Sequence, residues 1–292
     1  MNKQIKNDIS EVEISSLGAE IISFKTLNDG CEYLWNGDKS YWPGHAPLLF
    51  PIVCAVNEGK ITVDNKEYAI GNHGFAKKSE FTVVKETANS IIYQLSYDEE
   101  TLKMYPFKFE LNIIYTLVDN KLNINYIVRN IDNKEIYFQI GMHPGFHCPR
   151  VKNENLEDYY LEFECNENLD RLFMNGSNVI IKNKSENILQ NHNILPLTPQ
   201  LFENGALVFR NISSKKISLK SNKSNQKVVL SFENLPYLGI WQAKDAPFVC
   251  IEPWHGIADT EGFNGEFKEK EMMITLDQGM SFECNCAIEI GC

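Results

Sequence analysis

The feature that most constrains this chain is a period of two in its apolar residues. Phe107, Phe109, Leu111 and Ile113 alternate with Lys108, Glu110 and Asn112. After Val118-Asp119-Asn120-Lys121, the residues Leu122, Ile124, Tyr126 and Val128 alternate with Asn123, Asn125 and Ile127. Successive side chains of a strand point to opposite faces, so this spacing describes a β-hairpin with one apolar face. Asp119 and Asn120 tolerate the tight turn between its arms. The pattern returns at residues 91–97, at 216–219 and 228–232 around the polar loop 220–227, and at 272–276 and 282–290. A period of 3.6 is rare, and residues 151–175 are the one stretch expected to hold short helical or irregular pieces. Many short strands joined by turns predict an all-β fold, a sandwich or barrel. No Pro/Gly/Ser-rich linker and no repeat of 20–50 residues divides the chain, so 1–292 is read as one domain.

Bulk properties remove several function classes. Hydrophobic residues make up 43% and charged residues 23% of the 292 residues, values of an ordinary globular protein with ample core. The formal charge is −11, from 28 basic and 39 acidic residues, and basic residues occur only as scattered pairs such as Lys77-Lys78 and Lys215-Lys216. Phosphate neutralisation supplies most non-specific nucleic-acid affinity, so neither nucleic acid nor an anionic membrane surface is an expected partner. The N-terminal stretch has no apolar secretory core, and the most apolar segment, 47–56, is cut by Pro51 and falls far short of the roughly 20 residues a membrane helix needs. A cytoplasmic location is expected. The eight cysteines (31, 54, 148, 165, 250, 284, 286 and 292) are then expected as reduced thiols. Cys284, Cys286 and Cys292 lack the CxxC pair or nearby histidine that would complete a four-ligand metal knot.

Chemistry concentrates at a few positions. Three of the six histidines sit among Gly, Pro and aromatic residues: His73 in Gly71-Asn-His-Gly-Phe75, His143 in Gly141-Met-His-Pro-Gly-Phe146 and His255 in Glu252-Pro-Trp-His-Gly256. Flanking glycines permit unusual backbone angles and close ligand approach. A single histidine is more often structural than functional; three in such settings shift the balance. His143 and Glu252 each precede a proline, which favours extended geometry and, by removing an N–H from the ladder, suits a strand end. Glu252 follows the apolar run Phe248-Val-Cys-Ile251, so its carboxyl is expected to be desolvated, with its pKa raised towards the range of a general base. Trp35, Trp42, Phe75, Phe146, Trp241 and Trp254 are either core residues or stacking surfaces for a sugar. His143 and His147, four apart, share a face on a regular strand, but Pro144 and Gly145 break that register and no carboxylate lies nearby in sequence to complete a metal set. P-loop, GxGxxG, HExxH and GxSxG patterns are absent.

Taken together, these segments resemble the aldose 1-epimerase (galactose mutarotase-like) superfamily, in its LacX-like bacterial branch. Glu32-Tyr-Leu-Trp-Asn-Gly37 with Tyr41-Trp42, Ala46-Pro-Leu-Leu-Phe-Pro51, Asn72-His-Gly-Phe-Ala76, Gly141 to Phe146 and Phe248 to Gly256 carry the resemblance, in order and across nearly the whole chain. It implies a large antiparallel β-supersandwich with few short helices, a small-molecule sugar substrate, and no metal or organic cofactor. It implies Glu252 as the base that takes the anomeric proton and His143 as the acid that protonates the ring oxygen. His73, Lys77 and Trp254 are implied in substrate binding. Three positions depart from the family pattern. Ala55 stands where relatives carry an arginine, Lys77 follows His-Gly-Phe-Ala in place of arginine, and Gly205 occupies the region of a family aspartate. The expected function is a 1-epimerase acting on a free aldose. A sugar-phosphate 1-epimerase and a catalytically silent carbohydrate-binding module are the alternatives. The expected state is a monomer or a homodimer.

Overall fold

A computed structural model describes residues 2–291. A 15-stranded antiparallel sheet dominates it, with a three-stranded sheet near the N-terminus and two smaller two-stranded sheets. The hairpin expected from the alternation pairs Phe109–Val118 with Lys121–Asn130, with Val118 opposite Lys121 and Asp119 at φ 52°. Phe109, Leu111, Ile113, Leu122, Ile124 and Val128 are at most 1% exposed. Burying each such side chain stabilises the fold by about 1.5–3 kcal/mol relative to leaving it in water. Strands Ser90–Ser96, Lys216–Ser221, Lys227–Glu233 and Ser281–Gly291 continue this body, as the alternation predicts. Of the expected strand at 272–276, only Ile274–Leu276 forms.

Residues 151–175 correct the sequence reading. Only the 3₁₀ turn Leu156–Asp158 is helical; it is followed by a 16-residue strand, Tyr159–Met174, paired with Ile180–Pro196. Tyr159, Leu161 and Phe163 alternate inwards, but four register shifts then break the period. Two polar residues also occupy buried positions. Glu167 is buried because its carboxylate accepts the backbone N–H groups of Ser213 and Ser214, and Arg171 because its guanidinium donates to the carbonyls of Leu201 and Gly205. An inward charge reads as outward in a sequence pattern, which hid the strand. The α-helix Glu99–Met104 is a single short element, capped by Asp98, whose side chain accepts from Thr101 N–H.

The part of the large sheet that matters for function runs in the order Leu48–Leu49, Ile140–Met142, Phe248–His255, Tyr237–Trp241, Leu207–Phe209. The strand Phe248–His255 does not end at Glu252, as expected from Pro253, but runs on to His255. The reason lies in its neighbour. Ile251 N–H reaches the Pro144 carbonyl, and residues two apart point their N–H groups the same way. Pro253 therefore turns its missing donor towards the break between Ile140–Met142 and Gly145–His147, where little ladder is lost.

A buried ion pair secures the loop behind this region. Lys270 Nζ lies 2.8 Å from Asp259 Oδ1, with both side chains at most 4% exposed. Asp259 Oδ2 accepts Asn57 N–H and its own N–H reaches the Ala55 carbonyl, which ties residues 257–270 to 54–57. Removing one partner leaves a buried charge, so Lys270→Met is expected to cost about 3–5 kcal/mol, measured by urea unfolding. The double variant Asp259→Asn with Lys270→Met should lose much less than the sum of the single losses, because neither charge is then orphaned.

Candidate active site

Side chains along Phe248–His255 alternate, so Phe248, Cys250, Glu252 and Trp254 share one face. Opposite them stand glycines: Gly145 faces Cys250, Gly239 faces Glu252 and Gly141 faces Trp254. The Trp254 indole lies across this lane. A Cβ on Gly239 or Gly141 would come within 2.4 or 2.5 Å of it, too close for any side chain. The glycines thus let a large aromatic lie low on the sheet, with Glu252 beside it at the floor of a cleft of about 530 Å³.

His143 enters this cleft from the gap between two short strands, where His143-Pro144 separates Ile140–Met142 from Gly145–His147. Its Nε2 is 3.1 Å from Glu252 Oε2. The ring is held between Trp42 (centroids 4.9 Å apart, planes 30°) and Trp241 (5.8 Å, 75°). Both groups are buried, at 8% and 2% exposure. Burial holds the Glu252 carboxyl well above its usual range and pushes His143 down to about 3. Between those limits the pair carries one proton, and in the resting site burial favours the neutral form, with that proton on Glu252 pointing at Nε2.

His73 forms the rim. Its backbone is left-handed, φ 63°, and its N–H donates to the Cys54 carbonyl at 2.9 Å. Gly74 follows because the chain passes directly over Phe50, where a Cβ would overlap the Phe50 carbonyl. His73 Nδ1 accepts Cys54 N–H at 3.0 Å, so the neutral ring carries its proton on Nε2. Burial foremost, then the neighbouring His143 and Lys77, hold His73 well below the usual histidine range, so that Nε2–H remains a neutral donor. The two imidazoles are 5.5 Å apart and perpendicular. Lys77 lines the same cleft and meets no carboxylate within ion-pairing distance among the described residues. Burial lowers its pKa. Two polar atoms here are buried without a partner, His143 Nδ1 and Trp254 Nε1.

The site so assembled unites Glu252, His143, His73, Lys77 and Trp254, from three segments far apart in the chain. Comparison with known proteins supplies the family. The aldose 1-epimerase profile matches residues 3–275. The chain belongs to the aldose 1-epimerase family. Protein LacX (plasmid) of Lactococcus lactis subsp. lactis is 32% identical over 284 residues, 94% of each chain. Two solved structures are similar throughout. A galactose mutarotase related enzyme from Lactobacillus acidophilus is 33% identical with a TM-score of 0.95, covering 100% of this chain and 98% of its own. A galactose mutarotase-like protein from Lactobacillus casei ATCC 334 is 30% identical with a TM-score of 0.94, covering both chains fully.

In this aldose 1-epimerase family member several sequence candidates lie elsewhere. His255 does not line the cleft; its Nδ1 meets the Asn234 carbonyl and its ring packs on Phe282. His147 packs on Trp35, so the two-histidine pairing is broken as the Pro-Gly step suggested. No carboxylate near His143 in sequence reaches it; the one that does is Glu252, 109 positions away, brought to it by the sheet. Ala55 is buried and turns its carbonyl to Asp259 N–H, while Cys54 beside it lines the cleft. Gly205 does line it. Sequence reasoning missed Cys54, Asn72, Asn204 and the hairpin tip Asn175, Gly176 and Asn178, which all border the cleft. Asn72 opens the His-Gly-Phe-Ala segment but was given no role, and no motif marked the hairpin tip, which arrives only because the long hairpin 159–196 carries it there, anchored by Ile180 bridging to Thr260. The seven cysteines within the described residues are free; Cys292 lies outside them. Among the described residues, no helix is long and apolar enough to cross a membrane.

A buried carboxyl kept protonated opposes stability, and the sign gives a test. Unfolded Glu252 ionises above its usual 4.5, whereas the folded group holds its proton well above that pH. The folded state therefore binds the extra proton, and this group's contribution to stability falls as pH rises above 4.5. Glu252→Gln cannot ionise and should melt higher than the parent, by a margin that grows from pH 5 to pH 8 and closes near pH 4. Calorimetric melting of both proteins across that range checks it; equal melting temperatures at pH 8 would mean that folding does not raise the carboxyl's pKa.

Proposed function

We propose that this chain is an aldose 1-epimerase that interconverts the α and β anomers of a free aldose by acid–base ring opening. The observation that carries this reading is the 3.1 Å contact between Glu252 Oε2 and His143 Nε2 at the floor of an open cleft. Opening a pyranose ring requires one proton taken from the anomeric hydroxyl and one given to the ring oxygen, and this pair holds one proton between an acid and a base. Transfer across the contact turns the neutral pair into carboxylate and imidazolium. Glu252 then accepts the C1 hydroxyl proton while His143 protonates the ring oxygen. The C1–O bond breaks, the aldehyde rotates, and on reclosure His143 takes the proton back as Glu252 returns one to the C1 oxygen. The transfers balance within the pair and the sugar.

His73 Nε2–H and Trp254 Nε1 act as donors to sugar oxygens, and the Trp254 and Trp42 rings face the C–H surfaces of the sugar. A phosphorylated sugar is a second reading, favoured by the unpaired Lys77 in the cleft wall. A phosphate ester would offer that ammonium an anion, and Lys77→Met should then raise KM for the phosphorylated sugar far more than for the free one.

Polarimetry or NMR anomeric exchange on fresh α-D-glucose and α-D-galactose tests the main reading. The protein should accelerate equilibration, Glu252→Gln should bind sugar with nearly all turnover gone, and His143→Asn should lose roughly 10²-fold or more, the scale of general acid catalysis. Turnover within a few-fold of the parent in Glu252→Gln would sink the base assignment. No acceleration of either sugar, with binding intact, would favour a binding module.

The pH profile offers an independent check. The active pair needs its single proton, which it keeps from about 3, where His143 titrates, up to the raised value of Glu252. kcat/KM should therefore hold level from pH 7 to pH 5 and fall on the alkaline side as the pair loses its proton. An acid limb near 6.5 would show that His143 titrates as a free imidazole.

A further inference from the structure

Cys250 has no part in the proton transfers above, yet the strand places it two residues from Glu252 on the same face. One donor atom from each of His143, Cys250 and Glu252 lies within 4.8 Å of the other two. We propose that these three side chains form a binding site for a divalent cation of the Zn²⁺ or Cd²⁺ type, whose occupancy switches the acid–base pair off.

The donor set decides the kind of cation. One imidazole nitrogen, one sulfur and one carboxylate oxygen suit borderline and soft cations, whereas Mg²⁺ and Ca²⁺ favour oxygen alone. Geometry is close to what such an ion needs. Bonds of about 2.0–2.3 Å in a tetrahedral site put donors roughly 3.3–3.8 Å apart. His143 Nε2 and Glu252 Oε2 already lie 3.1 Å apart, and a small rotation of the thiol draws the third donor in. Gly145 faces Cys250, and a Cβ there would come within 3.4 Å of the thiol sulfur, so the glycine keeps the strand opposite from crowding the thiol, which packs against Trp35 and Trp42. His143 has a second buried nitrogen, Nδ1, without a partner, so the imidazole can turn without breaking a bond on that side. His143 and Glu252 face the cleft while Cys250 lies behind them, which leaves the fourth position of the ion open to water or a sugar hydroxyl.

The charges balance. A dication with a thiolate, a carboxylate and a neutral imidazole is neutral overall, and the displaced thiol and carboxyl protons leave to solvent. The lone pairs that take and give protons in anomerisation are then bound to the ion. The cation site stands on geometry alone, while its effect on turnover rests on the epimerase reading.

The test uses the full chain after chelator treatment. Cadmium titration should raise a thiolate-to-metal charge-transfer band that saturates at one cation per chain. Micromolar Zn²⁺ should stop anomeric exchange, EDTA should restore it, and Mg²⁺ should do nothing. Cys250→Ser should keep turnover within a few-fold of the parent and need about tenfold or more metal for the same block, at least the loss seen when a ligand's supporting partner is removed. Cys165→Ser, at an exposed cysteine, should behave as the parent. If Cys250→Ser fails to fold, Glu252→Gln removes a ligand instead, and the cadmium band must weaken by the same factor. Parental metal sensitivity in Cys250→Ser, or no saturating band in the parent, overturns the proposal. A parent that shows the band but no anomeric exchange supports the cation site and sinks the epimerase reading.

Discussion

A carboxyl and an imidazole 3.1 Å apart, both nearly sealed from water, are the arrangement around which the rest of this structure is organised. Burial works against either group carrying a charge, and an unpaired buried charge costs several kcal/mol on the order expected for ions in a protein interior. The two meet this by sharing a proton. Perturbed titration of this kind gathers at functional sites, where the fold holds groups that would otherwise seek solvent. Here the holding is done by aromatic walls on His143 and by the middle of a paired strand under Glu252.

That strand sets the spacing of the site. Its alternation puts Val249 and Ile251 into the interior and Phe248, Cys250, Glu252 and Trp254 on the working face. Glycines at the facing positions of both neighbouring strands let the Trp254 indole lie flat across the sheet. The break at His143-Pro144 opens one neighbour just where Pro253 has no N–H to donate, so the interruption that frees His143 also accommodates the proline beside Glu252. Backbone pairing and chemistry are thus the same arrangement seen at two scales.

The cleft walls follow a different logic. His73 is set by a left-handed backbone and a hydrogen bond from Cys54, and the asparagines at the rim come from loops and from the tip of a long hairpin. Loops can vary without disturbing the ladder beneath them, so the Glu252–His143 floor and the rim of the cleft can change independently. The three positions expected from the sequence to depart from the family pattern divide in the same way: Lys77 and Gly205 line the cleft, and Ala55 lies behind its wall.

The β-rich class, the hairpin at 109–130 and the choice of Glu252, His143 and His73 as site candidates, which the fold places in one cleft, were legible in the sequence. A period of two is local, and residues held by Gly or Pro neighbours announce themselves locally. The strand at 159–174 was not legible, because Glu167 and Arg171 are buried with partners 47 and 30 residues away. Nor could the sequence show that Glu252 meets His143, that His255 turns aside to Asn234, or that Cys250 joins the pair. Sequence alone determined which residues alternate and which segments stay extended, since those follow from neighbours along the chain. Only the tertiary structure decided which side chains share a proton and which border the cleft, because those contacts are made across strands whose pairing brings distant segments together.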